Sequence, residues 1–399
     1  MSAPIPIEQA FAHILNNAGS APVVRVPLTE ALGCVLAEDI NADRDIPPFN
    51  RCTVDGYAVF SSDTRSAPDV LEVIEDVPAG KTPTRVLSPG QAVRVMTGAP
   101  LPAGADAVIM QERTDIPKPG FVRFHMTMKS GQNVAPRGQD ARIATTVLTA
   151  GTLIGPAEIG VLAVVGRNHV PVRQQARVAI LGTGDELVEP DKIPEPSQIR
   201  NSNSYQLLAQ CASHHIPARY LGIAPDREEE TRALVDAGLQ SDVFISTGGV
   251  SVGERDFVGT AFKDLGVEVL FNKVAIKPGK PTIFGKCGST LVFGLPGNPV
   301  AAFVCFHFFV LTAIRQRAGA QNPLPRWLLL PLSNGIKDGG DRTTFLPAKL
   351  IIKNNATFVL PLEWHGSGHL SALVGADGLF VQKPEEKLNE GDNVTYYPF

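Results

Sequence analysis

Between Ala176 and Arg317 the chain alternates short apolar runs with longer amphipathic ones, and this alternation restricts the fold more than any other feature. ARVAILG, RYLGIA, DVFISTGG and STLVFGLPG read as strands; SNSYQLLAQCASHH, DREEETRALVDAGLQ, RDFVGTAFKDLG and NPVAAFVCFHFFVLTAIRQRAG read as helices. Strands buried on both faces are apolar throughout, so the pattern predicts a doubly wound α/β domain, a parallel sheet with helices on both sides. Ligands of such sheets bind beyond the carboxyl ends of the strands. The first helix starts capped, and the second has Asp226 as N-cap with Glu229 completing a capping box.

The flanks follow other patterns. IPIEQAFAHILNNA and LTEALGCVLAEDI, within residues 5 to 39, both carry helical periodicity. The prolines of ADRDIPPFNRCTVDGYAVF favour an extended, turn-rich path. VLEVIEDV, AVRVMTG, DAVIMQE and FVRFHMTM then predict the strands of a small β domain ending near residue 140. PAEIGVLAVVG (156–166) returns to helical spacing, which makes the β domain an insertion. After LPRWLLLPL, the runs FLPAKLII, ATFVLPL, GLFVQKP and NVTYYPF predict a third compact unit, a small barrel or sandwich. The division is therefore 1–44 with 141–174, an inserted β domain at 45–140, an α/β domain at 175–325 and a C-terminal β unit at 326–399.

Composition narrows the classes of function. With 399 residues, 44% hydrophobic and 19% charged, the chain has the make-up of a multidomain globular protein. A net charge of −4 without a basic segment argues against general nucleic-acid binding. An anionic small ligand would be met by locally gathered cations. The five cysteines, Cys34, Cys52, Cys211, Cys287 and Cys305, form no CxxC pair, so they read as small hydrophobes of a reducing cytoplasm. The N-terminus lacks the form of a signal peptide, and the apolar stretch Pro299 to Ile314, interrupted by His307, reads as a buried helix rather than a membrane span.

Four loops follow predicted strands and should open on one sheet edge: Thr183-Gly-Asp-Glu-Leu187, Ser246-Thr-Gly-Gly-Val-Ser251, Lys273 to Lys280, and Gly294-Leu-Pro-Gly-Asn-Pro299. Gly248 and Gly249 let the backbone aim its N–H groups at an anion, with Ser246, Thr247 and Ser251 adding hydroxyls; alone, the same residues also make a tight capped turn. Pro296, Gly297 and Asn298 have the same two readings, Asn298 as N-cap and Pro299 as first helical residue being the plainer one. Glu186, Asp226 and Asp256 follow strands or the glycine loop, and hard oxygen ligands beside phosphate donors are what Mg²⁺ takes. Singly, each also reads as a cap or a solvated acid. Lys273 and Lys277, four apart on a strand, would share a face, with Lys280 presented beside them after a Pro-Gly turn. Together they read as an anion site or as an edge strand guarded by lysines.

TGDEL, STGGVSVGERDF, AIKPGKP and GLPGNP, with VDGYAV, RVMTGAPLP and PRGQD upstream, occur in an order that resembles the molybdopterin molybdenumtransferase family, that of MoeA and the gephyrin E domain. The resemblance spans essentially the whole chain. It implies an elongated N-terminal region, an inserted β domain, an α/β domain and a C-terminal β-barrel, assembled as a homodimer. It implies insertion of molybdate into adenylylated molybdopterin, with Mg²⁺-dependent cleavage of the adenylyl phosphate link and release of AMP. In that scheme Glu186, Asp226 and Asp256 serve the metal and phosphates, and Lys273, Lys277 and Lys280 hold molybdate and phosphates. Asp55, Thr97 and Asp140 complete the cleft from the partner subunit, and Ser367 reaches it from the C-terminal unit. The adenylyltransferase of the preceding step is a further partner. The family's usual Met before DGYA is Val54 here, and its usual acid before Asp140 is Gln139. Rival readings are a stand-alone adenylyltransferase, though Val250-Ser251 replaces its usual Thr-Gly pair, and a dimeric scaffold without turnover.

Overall fold

The structure, a computed structural model, describes residues 3–66, 69–249, 257–336 and 339–399. The chain divides into two compact units, one of residues 1–38, 150–159 and 169–399, the other of residues 39–149 and 160–168.

In the first unit the strand–helix alternation builds a six-stranded sheet. Its strands are β1 Val178–Thr183, β2 Ala218–Ala224, β3 Val243–Thr247, β4 Glu268–Phe271, β5 Ile283–Cys287 and β6 Thr290–Leu295, in the order β2-β1-β3-β6-β5-β4. β2, β1, β3 and β6 run parallel. β5 is antiparallel to β6, and β4 to β5, so the sheet is mixed rather than wholly parallel. Sequence patterning passes over β4 and β5: β4, the edge strand, exposes Glu268 and Val269, and β5, between β6 and β4, ends in half-exposed Lys286 and Cys287.

Alternate residues of the central strands feed two cores. Val178, Ile180 and Ile245 face helices α1 Asn203–Ser213 and α4 Pro299–Arg317 through Leu207, Cys211, Val304 and Phe308. Ala179, Leu181 and Phe244 face α2 Glu228–Leu239 and α3 Phe257–Asp264 through Val235, Val258 and Phe262. Gly238 sets the approach of α2, since a Cβ there would lie 2.3 Å from the Phe244 ring. α4 is apolar and long enough to cross a membrane, but 78% of its apolar window is buried, and a π turn occupies Phe306–Val310. Phe306, Phe308 and Phe309 are each 0% exposed, which contributes about 1.5–3 kcal/mol apiece.

Helix Ile7–Asn17 packs Ala10 and Ile14 on the same core as α4. The second N-terminal helix is absent. Residues 28–41 form one 3-10 turn and two-residue strands, and Val35–Leu36 pairs with His169–Arg173 instead. Gly33, at φ +77 and against His215, interrupts the helical repeat. The helix expected over 156–166 is present as Pro156–Val164.

In the C-terminal part, Thr343–Lys353, Ala356–Pro361, Gly378–Gln382, Asn393–Pro398 and Leu328–Pro331 pair antiparallel in one sheet, which Ile276–Lys277 joins as a parallel strand beside Thr343–Lys353. A parallel bridge from Leu332 to Val359 brings its two ends together.

The second unit centres on a six-stranded sheet ordered Ala107–Met110, Gly56–Val59, Gln91–Val95, Asp69–Val77, Phe121–Phe124, Thr114–Asp115. Gly56–Val59, read from its prolines and glycine as turn-rich path, is an interior strand. A Cβ on Gly56 would meet the Ile109 carbonyl, so glycine is what lets the two strands pair there.

Candidate active site

The parallel strands end together at Thr183, Ala224, Thr247 and Leu295, and β4 ends at the same edge. The sheet order reverses at β1, and the crevice beyond β1 and β3 is where an open α/β sheet takes its ligand. A cleft of about 690 Å³ lies there, lined by Thr183, Glu186, Asn203, Gly248, Gly249, Gly297 and their neighbours.

Hydrogen bonds tie the two glycine loops together. Asn203 Nδ2 donates to Thr247 Oγ1 and to the Gly297 carbonyl, both at 2.8 Å. Thr247 Oγ1 donates to the Pro296 carbonyl at 3.3 Å, and Gly248 N–H to the Leu295 carbonyl at 3.2 Å. Gly248 and Gly249 have φ of +88 and +59, and side chains there would press on Thr183. Their backbone is thus held by chain geometry in a tight turn on the cleft wall, with the Gly248 amide already bonded to Leu295.

The predicted site residues distribute as follows. Glu186, Gly248, Gly249, Pro296, Gly297 and Asn298 line the cleft. The Glu186 carboxylate is exposed and takes no hydrogen bond or ion pair among the described residues. Asn298 is the N-cap of α4, with Pro299 at its first turn, but its side chain is not a cap. Its Nδ2 donates to Ser367 Oγ at 2.9 Å, and the Val300 amide donates to the Ser367 carbonyl at 3.1 Å, so the Gly366–Gly368 turn is moored at the cleft mouth. Ser246 sits at the end of β3, 0% exposed, its hydroxyl without a partner among the described residues. Ser251 and Asp256 lie outside the described residues.

Asp226 is exposed beside the Thr183–Leu187 turn and does not line the cleft. Its amide donates to Asp185 Oδ1 at 2.9 Å. It is not the N-cap of α2: Arg227 is, without a side-chain cap, and the expected capping box does not form. Arg227 pairs with Glu230 at 2.9 Å, and Thr231 Oγ1 donates to the Pro225 carbonyl, which together occupy the first turn.

The three lysines follow β4 at the same edge but do not form one strand face. The run bends at Ala275, and only Ile276–Lys277 is strand, paired with Thr343 and Thr344. Lys273 is half-buried; Lys277 and Lys280 are exposed. The Lys277 ammonium stands 5.7 Å from the Trp364 ring centre. None of the three lines the cleft, although Pro281, next to Lys280, does.

In the second unit, Asp55 Oδ1 accepts both the amide and the hydroxyl of Thr97 at 2.7 Å. These bonds hold the Asp55 carboxyl below its ordinary range. Thr97→Val should therefore raise the Asp55 pKa in a carboxyl-carbon NMR titration. Because the folded-state pKa is depressed, this contribution to stability is present above the unfolded pKa and fades as pH falls through the folded one. Asp140 is exposed in a turn, its amide donating to the Ile46 carbonyl at 2.8 Å.

Arg200 and Asn203 are among the cleft residues that the sequence reading gave no site role. Arg200 is a cation at the cleft wall, its Nε donating to the Pro190 and Lys192 carbonyls. The signal for Asn203 was the polar run Asn201-Ser-Asn-Ser204 at a helix start, which reads first as capping. The N-cap residue Ser202 makes no side-chain cap, and Asn201 Oδ1 accepts the Ser204 amide instead.

A doubly wound sheet with two clamped glycine loops, between β-rich flanks, is the architecture of a multidomain molybdopterin-binding protein. Three family models match in sequence: the MoeA N-terminal region (domain I and II) at residues 5–166, the probable molybdopterin binding domain at 179–316, and the MoeA C-terminal region (domain IV) at 330–399. The molybdopterin molybdenumtransferase of Bacillus subtilis (strain 168) is 38% identical over 386 residues, covering 95% of this chain and 90% of that protein. That of Staphylococcus aureus (strain Mu50 / ATCC 700699) is 34% identical, covering 94% and 90%. The crystal structure of the molybdopterin biosynthesis moeA protein from Pyrococcus horikoshii OT3 matches with a TM-score of 0.81 at 31% identity, over 100% of both chains. The chain belongs to the MoeA family and is an enzyme of the molybdopterin molybdenumtransferase type, acting in molybdenum cofactor biosynthesis.

Proposed function

We propose that the enzyme inserts molybdate into adenylylated molybdopterin, with Mg²⁺-dependent cleavage of the adenylyl phosphate link and release of AMP. The observation that carries this reading is the clamp of Asn203 and Thr247 on both glycine loops, which holds the two turns as one cradle at the sheet's switch point. Such a cradle binds phosphate oxygens without reorganising when charge develops on them.

Mg²⁺ is held by one or two carboxylates together with substrate phosphates and waters. Glu186 fits that requirement: a carboxylate with no partner among the described residues, on the wall of the same cleft. No group of three His, Cys, Asp or Glu side chains able to hold a metal occurs among the described residues. Glu186 is therefore the residue that would hold the ion, with Asp226 as a further acid of the edge and Asp256, outside the described residues, as another candidate ligand. When bound, the ion neutralises charge on the phosphates and leaving group.

The chain's own groups do the rest. The Gly248, Gly249 and Gly297 backbone positions the phosphates, and Arg200 supplies positive charge. Ser246, at the end of β3, is a further hydroxyl of this reading, as is Ser251, which lies outside the described residues, and Asn298 with Ser367 fixes the C-terminal loop at the mouth. Lys273, Lys277 and Lys280 gather the molybdate dianion at the same edge. A homodimer, with Asp55, Thr97 and Asp140 serving the partner's cleft, a cytoplasmic location, and supply of substrate by an adenylyltransferase complete the proposal.

The test is incubation of the purified chain with adenylylated molybdopterin, Mg²⁺ and molybdate, followed by assay for AMP. Stoichiometric AMP that requires both Mg²⁺ and molybdate is the expected result. Absence of AMP under those conditions would refute the reading.

A further inference from the structure

Helices α1 and α4 both start at the cleft, and α4 is 19 residues long, so its ends lie about 28 Å apart. At the far ends of both helices a second cavity opens, of about 530 Å³, with Arg315, Arg326, His214 and His307 on its walls. Neither guanidinium makes an ion pair or hydrogen bond to a carboxylate among the described residues. Glu158 is the one acidic side chain in the lining, and its Oε2 accepts the Gly155 amide at 2.9 Å. The chain-terminal Phe399 contributes a ring packed edge-on to His307, at 5.7 Å between centres. His307 is only 6% exposed, and its Nε2 has no hydrogen-bond partner among the described residues.

An unpaired guanidinium drawn out of water, beside a second one, costs free energy that an oxyanion between them would offset. Arginine stays charged in such a place, and its planar fork suits phosphate-like oxygens. A buried imidazole nitrogen without a partner is likewise a group waiting for one. Burial and then the nearby Arg326 charge hold the Arg315 pKa below its usual range, as expected of a cation lacking its counter-ion.

We propose that this cavity is a second ligand site, which binds a phosphate-sized oxyanion between Arg315 and Arg326 with His214 and His307 as further N–H donors. It shares no lining residue with the cleft, so its occupancy is separable from turnover.

The test is an NMR titration of the full-length chain, labelled with ¹⁵N-histidine, with inorganic phosphate. The imidazole signals of His214 and His307 should shift together and saturate with one midpoint. That midpoint should rise at least about tenfold in Arg315→Met and in Arg326→Gln, the loss expected for one charge-assisted contact. Glu186→Gln should leave it unchanged. Arg326 is exposed, so its variant carries the test if Arg315→Met fails to fold. Failure of phosphate to move either imidazole, or an unaltered midpoint in Arg326→Gln, overturns the proposal. So does a change of oligomeric mass in the arginine variants without any phosphate response, which would assign the cations to a second copy of the chain.

Discussion

Glu186→Gln should fold as the parent does and release AMP about a hundredfold more slowly, a loss of roughly 2.7 kcal/mol of transition-state stabilisation. The side chain is exposed at the cleft wall and takes no hydrogen bond or ion pair among the described residues, so its removal costs the fold little. Glutamine keeps the length and one carbonyl oxygen but loses the charge that binds a hard cation. The defect should therefore ease as Mg²⁺ is raised, with the nucleotide affinity measured without metal left unchanged. The measurement is AMP release against Mg²⁺ concentration, beside the thermal midpoint. A variant with the parent's rate at every Mg²⁺ level would remove Glu186 from the site. A variant that is slow but indifferent to Mg²⁺ would make it a group acting on the substrate directly.

The place of Glu186 on the cleft wall was legible in the sequence because it follows from topology. A continuous apolar run such as ARVAILG, followed by Thr-Gly-Asp-Glu, marks the carboxyl end of a buried strand, and the residues beyond it must lie at that edge. Gly248 and Gly297 were legible for the same reason. Asn203 was not. Its work is done by one amide that bonds to Thr247 and Gly297 at once, and those partners are 44 and 94 residues away in the chain. No local pattern encodes a contact of that kind, while the local reading of the same residues as a helix start was also correct.

The misreadings share a cause. Lys273 and Lys277 have the spacing of one strand face, but Ala275 bends the run and Lys277 pairs with the far strand at Thr344. Asp226 and Glu229 have the spacing of a capping box, but the Asp226 amide bonds to Asp185 and the helix begins after Arg227. Residues 28–40 have helical spacing, but strand pairing at Val35–Leu36 and the left-handed Gly33 prevail. In each case a tertiary partner outweighed a local preference worth no more than about 1 kcal/mol.

His307→Phe should remove much of the enzyme's acid sensitivity, with a gain of about 2 kcal/mol in unfolding free energy at pH 5 relative to the parent. Burial, then the charges of Arg315 and His214, lower the His307 pKa from 6.5 to about 4. The unfolded chain therefore binds a proton at this residue below about pH 6.5, while the folded chain resists binding it until about pH 4. Between those values the unfolded state holds more protons, so stability falls as pH falls; above them the residue is neutral in both states and contributes no pH dependence. Phenylalanine fits the surroundings, since the imidazole already packs against the rings of Phe308 and Phe399 and its Nε2 satisfies no partner. Arg315, Arg326, His214 and Glu158, which line the same cavity, remain in the variant. Denaturant unfolding of both proteins at pH 8 and pH 5 separates the effects: near-equal stability at the higher pH and a clear excess for the variant at the lower one is the expected result. Parallel pH profiles would show that His307 takes up its proton in the folded chain as readily as in the unfolded one.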